Sequence, residues 1–178
     1  MTQNSAPQAS RIHYGWIVLG MGTLVVFAAL GLGRFGYAAV LPDMQKALSM
    51  DNTQAGALAT ANLAGYLAFC VIGGALAVRF GPRVVITCGL SLAALGMVMT
   101  GLAGSFASAA VWRALVGIGG GASNVPVMGL MAAWFAPRRR GLAAGVAVAG
   151  SSIGLIIIGP LVPRIVNAYG ADGVRPMS

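Results

Sequence analysis

Glutamate does not occur in the 178-residue chain, and the only acidic residues are Asp43, Asp51 and Asp172. Histidine occurs once, as His13, ahead of the first apolar stretch, and the two cysteines, Cys70 and Cys88, sit in apolar surroundings with neither CxxC spacing nor a histidine beside them. Paired carboxylates for acid–base chemistry and a nucleophile–histidine–acid triad therefore cannot be assembled. The same scarcity leaves no Cys/His donor set for a metal. The expectation is a protein that is not an enzyme and carries no metal and no cofactor. Charged residues of both signs make up 8% of the chain, against roughly 25% in an ordinary soluble domain. A water-exposed surface on all sides is thereby excluded. What is abundant is apolar: 58% of residues are hydrophobic and 27 are glycine. Glycine this frequent, without a G-x-y period and embedded in apolar runs, suits transmembrane helices that approach closely through small side chains.

Five apolar segments stand out, at about 15–41, 54–78, 84–103, 107–135 and 142–162. Each is about 20 residues or longer, the length a helix needs to cross roughly 30 Å of hydrocarbon. Strands with free edges would leave backbone groups unpaired in lipid, and the alternating pattern of a barrel is missing, so the fold class is an all-α membrane protein. The first segment is too long for a signal-peptide core and is followed by four more of its kind. The organisation predicted is a tail at 1–13, a helical bundle at 14–164 and a second tail at 165–178. Pro42 is expected to close the first helix, Gly81–Pro82 to form a tight turn, and Pro137 with Arg138, Arg139 and Arg140 to separate the fourth helix from the fifth. Links this short make neighbouring helices antiparallel.

The net charge of +8 does not point to nucleic acid, because the eleven basic residues are scattered, nine of them through short links and tails, instead of forming one basic face. Their distribution carries orientation. Arg11, Arg79, Arg83 and Arg138 to Arg140 fall on one side of the five segments, and Lys46, Arg164 and Arg175 on the other. The richer side is read as cytoplasmic, which puts the N-terminus inside. Arg34 and Arg113 belong to neither side, since they lie within apolar segments. An intramembrane guanidinium costs roughly 2.5–3.5 kcal/mol on insertion-based scales and needs a partner or a water-filled cavity. The two lie at a similar depth below the outer face. They are the candidates for binding or gating a small substrate, with Tyr37 and Asn124 beside them. The spacing Gly31-x-Gly33-x-x-Gly36, with Asp51 beyond, formally matches a dinucleotide fingerprint. That fingerprint needs a strand before the glycines, and here an apolar helix-length run precedes them.

The second link reads Gly74-Ala-Leu76-Ala-Val78-Arg79-Phe-Gly81-Pro82-Arg83-Val-Val-Ile86. It resembles the signature G-x-L-a-D-r-x-G-r-k-x-x-l between the second and third helices of the major facilitator superfamily, with Gly74, Leu76, Arg79, Gly81, Arg83 and Ile86 in register. Val78 stands where the family has an acid and Pro82 where it has a base, which puts a gating role for Arg79 and Arg83 in question. The fourth segment carries Arg113-Ala-Leu-Val-Gly117-Ile-Gly119-Gly120-Gly121, similar to the family's R-x-x-x-G-x-G element. In the fifth, Gly145, Gly154 and Gly159-Pro160 resemble the glycine-rich, proline-ended helix of antiporter-like members. Small-xxx-small packing through Gly141, Gly145, Gly150 and Gly154 accounts for the same residues. His13-Tyr14-Gly15-Trp16 and the run from Gly31 to Tyr37 look like the bacterial branch near the oxalate/formate and monocarboxylate carriers.

The resemblance implies the first five helices of a twelve-helix carrier, with Gly117, Gly121, Gly145, Gly154, Gly159 and Pro160 at helix contacts. It implies alternating-access transport of a small organic anion or amphipathic metabolite across a bacterial inner membrane. The partners implied are the lipid bilayer, the substrate and a C-terminal half that the chain does not contain, as after a frameshift or early stop. A non-transporting membrane fragment or accessory subunit is the other reading.

Overall fold

The structure, a computed structural model, describes residues 14–173. Arg11, His13 and Arg175, named above, lie outside the described residues. All regular structure within them is helical. In chain order it comprises α1 (Tyr14–Val26), a π-helical segment (Phe27–Phe35), α2 (Gly36–Ala47), α3 (Asn52–Phe80), α4 (Pro82–Gly101), α5 (Phe106–Trp134) and α6 (Pro137–Gly173). α1, the π-helical segment and α2 run on as one helical rod, so that five stretches are long and apolar enough to cross a membrane: Tyr14–Lys46, Asn52–Phe80, Pro82–Gly101, Phe106–Trp134 and Pro137–Val162.

One proline acts differently from the expectation. Pro42 lies inside α2 and does not close the first helix, which continues to Ala47 and carries Asp43 and Lys46 on its last turns. A proline removes one backbone bond and bends a helix, but a membrane helix tolerates it when neighbouring groups satisfy the freed carbonyl. Asp43 therefore rides on a helix, not in a link. Pro137 does mark the boundary between the fourth and fifth spans, but as the first residue of α6 and not as part of a link, where its fixed φ suits the first turn and its missing N–H is no loss. The three arginines after it sit on the first turns of α6, and Arg140 reaches back so that its Nε donates to the Phe135 carbonyl at 3.0 Å, satisfying an acceptor at the end of α5.

The other helix ends follow local chemistry. Asp51 caps α3: its carboxylate accepts from the Gln54 N–H at 2.7 Å while the Gln54 side chain accepts from the Asp51 N–H, a reciprocal capping box. Ser105 caps α5 by accepting from the Ser108 N–H. The reversal between α3 and α4 turns on Gly81, whose φ of 88° and ψ of 146° are open only to glycine.

α5 is the central helix, with α3 and α4 against it, while α6 lies along α1 and the π-helical segment. Glycine sets these distances. A Cβ on Gly117 would run into the Asn62 carbonyl and one on Gly121 into the Tyr66 carbonyl, both backbone atoms of α3. A Cβ on Gly73 of α3 would stand 2.7 Å from the Ala122 Cα, and one on Gly119 would meet the Gly89 carbonyl of α4. Gly119 and Gly121 of α5 thus serve two neighbours, because a step of two residues turns the helix by about 200°. Gly31 and Gly154 form the same kind of crossing between the π-helical segment and α6. Large apolar residues stay exposed on the outer faces of the bundle, such as Val71 at 78% exposure and Ile156 at 73%, as a membrane-spanning chain allows.

Candidate functional site

The chemistry of this chain is concentrated where α2, the π-helical segment, α3 and α5 meet. A cleft of about 340 Å³ there is lined by Arg34, Tyr37, Thr60, Asn62 and Arg113 among apolar residues, and none of its lining residues is acidic. Arg113 is 3% exposed. Its Nη1 donates to the Gly33 carbonyl at 3.1 Å, and its guanidinium lies over the Tyr37 ring, 4.1 Å from the centroid. Its own carbonyl accepts from Asn62 Nδ2 at 2.9 Å, which ties α3 to α5 at this level. A buried cation is tolerated here because an aromatic face and a carbonyl oxygen replace part of its hydration. The replacement is incomplete: Arg113 Nε and Tyr37 Oη are both buried without a hydrogen-bond partner.

Arg34 is held differently. It occupies the last turn of the π-helical segment, is exposed within this chain, and its guanidinium approaches the ring of Tyr66, 5.8 Å from the centroid. Wider turns of this kind inside α-helices mark functional positions, and this one directs a guanidinium with unspent donors toward the cleft. Arg34, Tyr37 and Arg113 are thus brought together. Asn124 is not with them. It lies eleven positions beyond Arg113 on α5, roughly 16 Å further along the helix, where its Nδ2 donates to Tyr66 Oη at 2.7 Å. Asn62 and Tyr66 were not singled out from sequence. An amide and a phenol four apart in a largely apolar span, on one helix face, are the pattern that marks them.

At the opposite end lies the α3–α4 turn. Gly81 shapes it, Arg79 lies over the Phe80 ring at 5.5 Å, and Arg83 Nη2 donates to Tyr14 Oη at 3.4 Å. Tyr14 packs on Trp134 with ring centroids 4.9 Å apart, and Trp16 meets Phe135 edge-on at 6.5 Å. Gly74 lies against Val125 of α5, while Leu76 is half-buried. The two exposed arginines have no acidic partner at this turn among the described residues, in keeping with Val78, 90% exposed, where an acid would stand. Among the packing glycines, Gly117, Gly121 and Gly154 sit at backbone contacts, but Gly145 and Gly159 face open space, as does Gly141. Pro160 is exposed too. The contact face of α6 runs instead through Ala143, Ala147, Gly150, Gly154 and Ile158, a three-to-four-residue period from which Gly141, Gly145 and Gly159 are offset.

Comparison with known proteins places the chain among transporters. The chain is 29% identical over 160 residues to a probable sulfoacetate transporter of Cupriavidus necator, an overlap covering 90% of this chain and 37% of that protein. It is 28% identical over 138 residues to a hexuronate transporter of Bacillus subtilis, covering 78% and 33%. It is also 28% identical over 161 residues to a 3-(3-hydroxy-phenyl)propionate transporter of Escherichia coli, covering 90% and 39%. The chain therefore spans about a third of the length of these curated relatives. The sequence pattern of the Major Facilitator Superfamily matches residues 23–174, which take in nearly all of the five membrane-spanning helices and both arginines of the cleft, and the chain belongs to that family.

Proposed function

We propose that this chain forms one wall of the pathway of a secondary transporter for small organic anions, with Arg34 as the group that receives the anion. The observation that carries this reading is the cleft itself: two guanidinia enter one intramembrane cleft whose lining contains no acid to neutralise them. Such a lining favours an anion, and a planar guanidinium binds a carboxylate or sulfonate with two parallel hydrogen bonds. Arg113 is occupied by Gly33 and Tyr37, so it supplies field and shape, while Arg34 keeps its donors for the ligand. The names of the relatives support the reading, since sulfoacetate, hexuronate and 3-(3-hydroxy-phenyl)propionate are all organic acids.

Transport then follows by alternating access, this bundle rocking against a second one about a site near the midplane. The orientation that fits has the arginine-rich end, with Arg79, Arg83 and Arg138 to Arg140, in the cytoplasm of a bacterial cell. The test is calorimetric binding of hexanoate to the purified chain in lipid nanodiscs. Arg34→Gln and Arg34→Lys should each weaken binding by about tenfold or more, because only Lys keeps the charge and neither keeps the fork. Wild-type affinity in both variants would remove Arg34 from the site.

A further inference from the structure

We infer that Tyr66 and Asn124 form a second subsite that takes a neutral hydroxyl of the anion bound at Arg34. The inference rests on the anion reading of the cleft and adds a hydroxyl, placed away from the charged end, to the definition of its substrate. Among the described residues three buried side-chain polar atoms have no hydrogen-bond partner: Tyr37 Oη, Arg113 Nε and Asn124 Oδ1. The first two belong to the cleft. The third stands apart from it and is linked to it only through Tyr66.

Tyr66 follows Asn62 by four residues on α3, so it continues the cleft-facing stripe by one turn. Its ring lies against Gly120 of α5, with the Arg34 guanidinium 5.8 Å from the ring centre and the Asn124 amide on its oxygen at 2.7 Å. Arg34, Tyr66 and Asn124 therefore form a continuous polar track from a cation to a neutral pair. The chemistry of the pair selects its ligand. With Asn124 Nδ2 donating to the phenol, whose other side-chain partner is Cys70 one turn further along α3, the second amide proton is left to donate and Oδ1 is left to accept. With the amide turned over, the phenol donates to Oδ1, and the amide protons and phenolic lone pairs remain. In both arrangements the pair offers one donor and one acceptor side by side. A carboxylate only accepts and would leave the acceptor unpaired; an alkyl chain would leave both unpaired. A hydroxyl, which donates and accepts through one oxygen, satisfies both.

The test compares gluconate and hexanoate, six-carbon carboxylates with and without hydroxyls, for binding to the purified chain in lipid nanodiscs. The subsite predicts that gluconate binds more tightly than hexanoate. Tyr66→Phe, which keeps the ring beneath Arg34, and Asn124→Leu should each weaken gluconate by about tenfold, the effect of leaving a buried polar group unpaired, with hexanoate changed less than about twofold. Unchanged hexanoate binding also shows that each variant is folded. Equal loss of both ligands in Tyr66→Phe, or a gluconate preference that survives both variants, would overturn the subsite and leave the anion reading standing. Failure of the unaltered chain to bind either ligand would overturn both.

Discussion

At the scale of single residues, the two intramembrane arginines divide one task. Arg113 is buried and committed: its fork bonds the Gly33 carbonyl and its plane lies on Tyr37. Arg34 is exposed and, among the described residues, its guanidinium approaches an aromatic face, that of Tyr66. The first has the character of a strut that fixes the π-helical segment against α5, and the second is carried on that segment. Arg113→Lys tests the division. A lysine keeps the charge but, as a compact ammonium, cannot both reach the Gly33 carbonyl and lie flat on Tyr37. The expected result is a destabilisation of about 1–2 kcal/mol, from the lost charged hydrogen bond and cation–π contact. It would be read as a lower melting temperature in detergent by intrinsic fluorescence. An unchanged melting temperature would mean that the stack and the bond contribute nothing to stability.

At the scale of elements, the glycines of α5 decide how closely three helices approach. In lipid there is no hydrophobic gain in bringing apolar faces together, so close van der Waals contact and interhelical hydrogen bonds hold the bundle. Gly117 and Gly121 place the backbone of α5 directly on that of α3, close enough for Asn62 to bond the Arg113 carbonyl. Gly121→Val should force the two helices apart at a cost of about 1–3 kcal/mol or more, the range for overpacking a well-fitted contact. Gly145→Val, on the open face of α6, should leave stability within about 0.5 kcal/mol, as surface substitutions do. Thermal unfolding of the two variants side by side checks the assignment, and equal losses would contradict it.

At the scale of the whole molecule, the two ends of the bundle differ in charge and aromatic content. One gathers Tyr14, Trp16, Trp134 and Phe135 with Arg79, Arg83 and Arg138 to Arg140. The other carries Asp43, Lys46 and the capping box of Asp51. Aromatic rings are anchors at either membrane interface, and only the arginines beside them favour the cytoplasmic one, the orientation proposed above. In a background without Cys70 and Cys88, a cysteine replacing Thr53 should react with an impermeant thiol reagent on intact cells. One replacing Ala136 should react only after permeabilisation. The reverse pattern would invert the orientation.

Composition and segment length by themselves determined that this chain is helical and carries five stretches able to cross a membrane, and the links determined which ends carry positive charge. Both are local properties: a stretch in lipid must satisfy its own backbone bonds, so length and hydropathy decide a helix without reference to its neighbours. The motifs around Gly81 and Arg113 carried the family for the same reason, being short and contiguous. The faces of the helices were not legible. Lipid is as apolar as the protein interior, so these helices are apolar all round and no polar stripe marks the buried side. Gly145 and Gly121 look alike in sequence, and only the packing distinguishes a contact from an open surface. Tertiary structure likewise decided that Pro42 rides within a helix, that a π-helical segment carries Arg34, and that Tyr66 links Arg34 to Asn124. Each depends on which residues of distant segments share a level in the membrane, and that is fixed only when the helices pack.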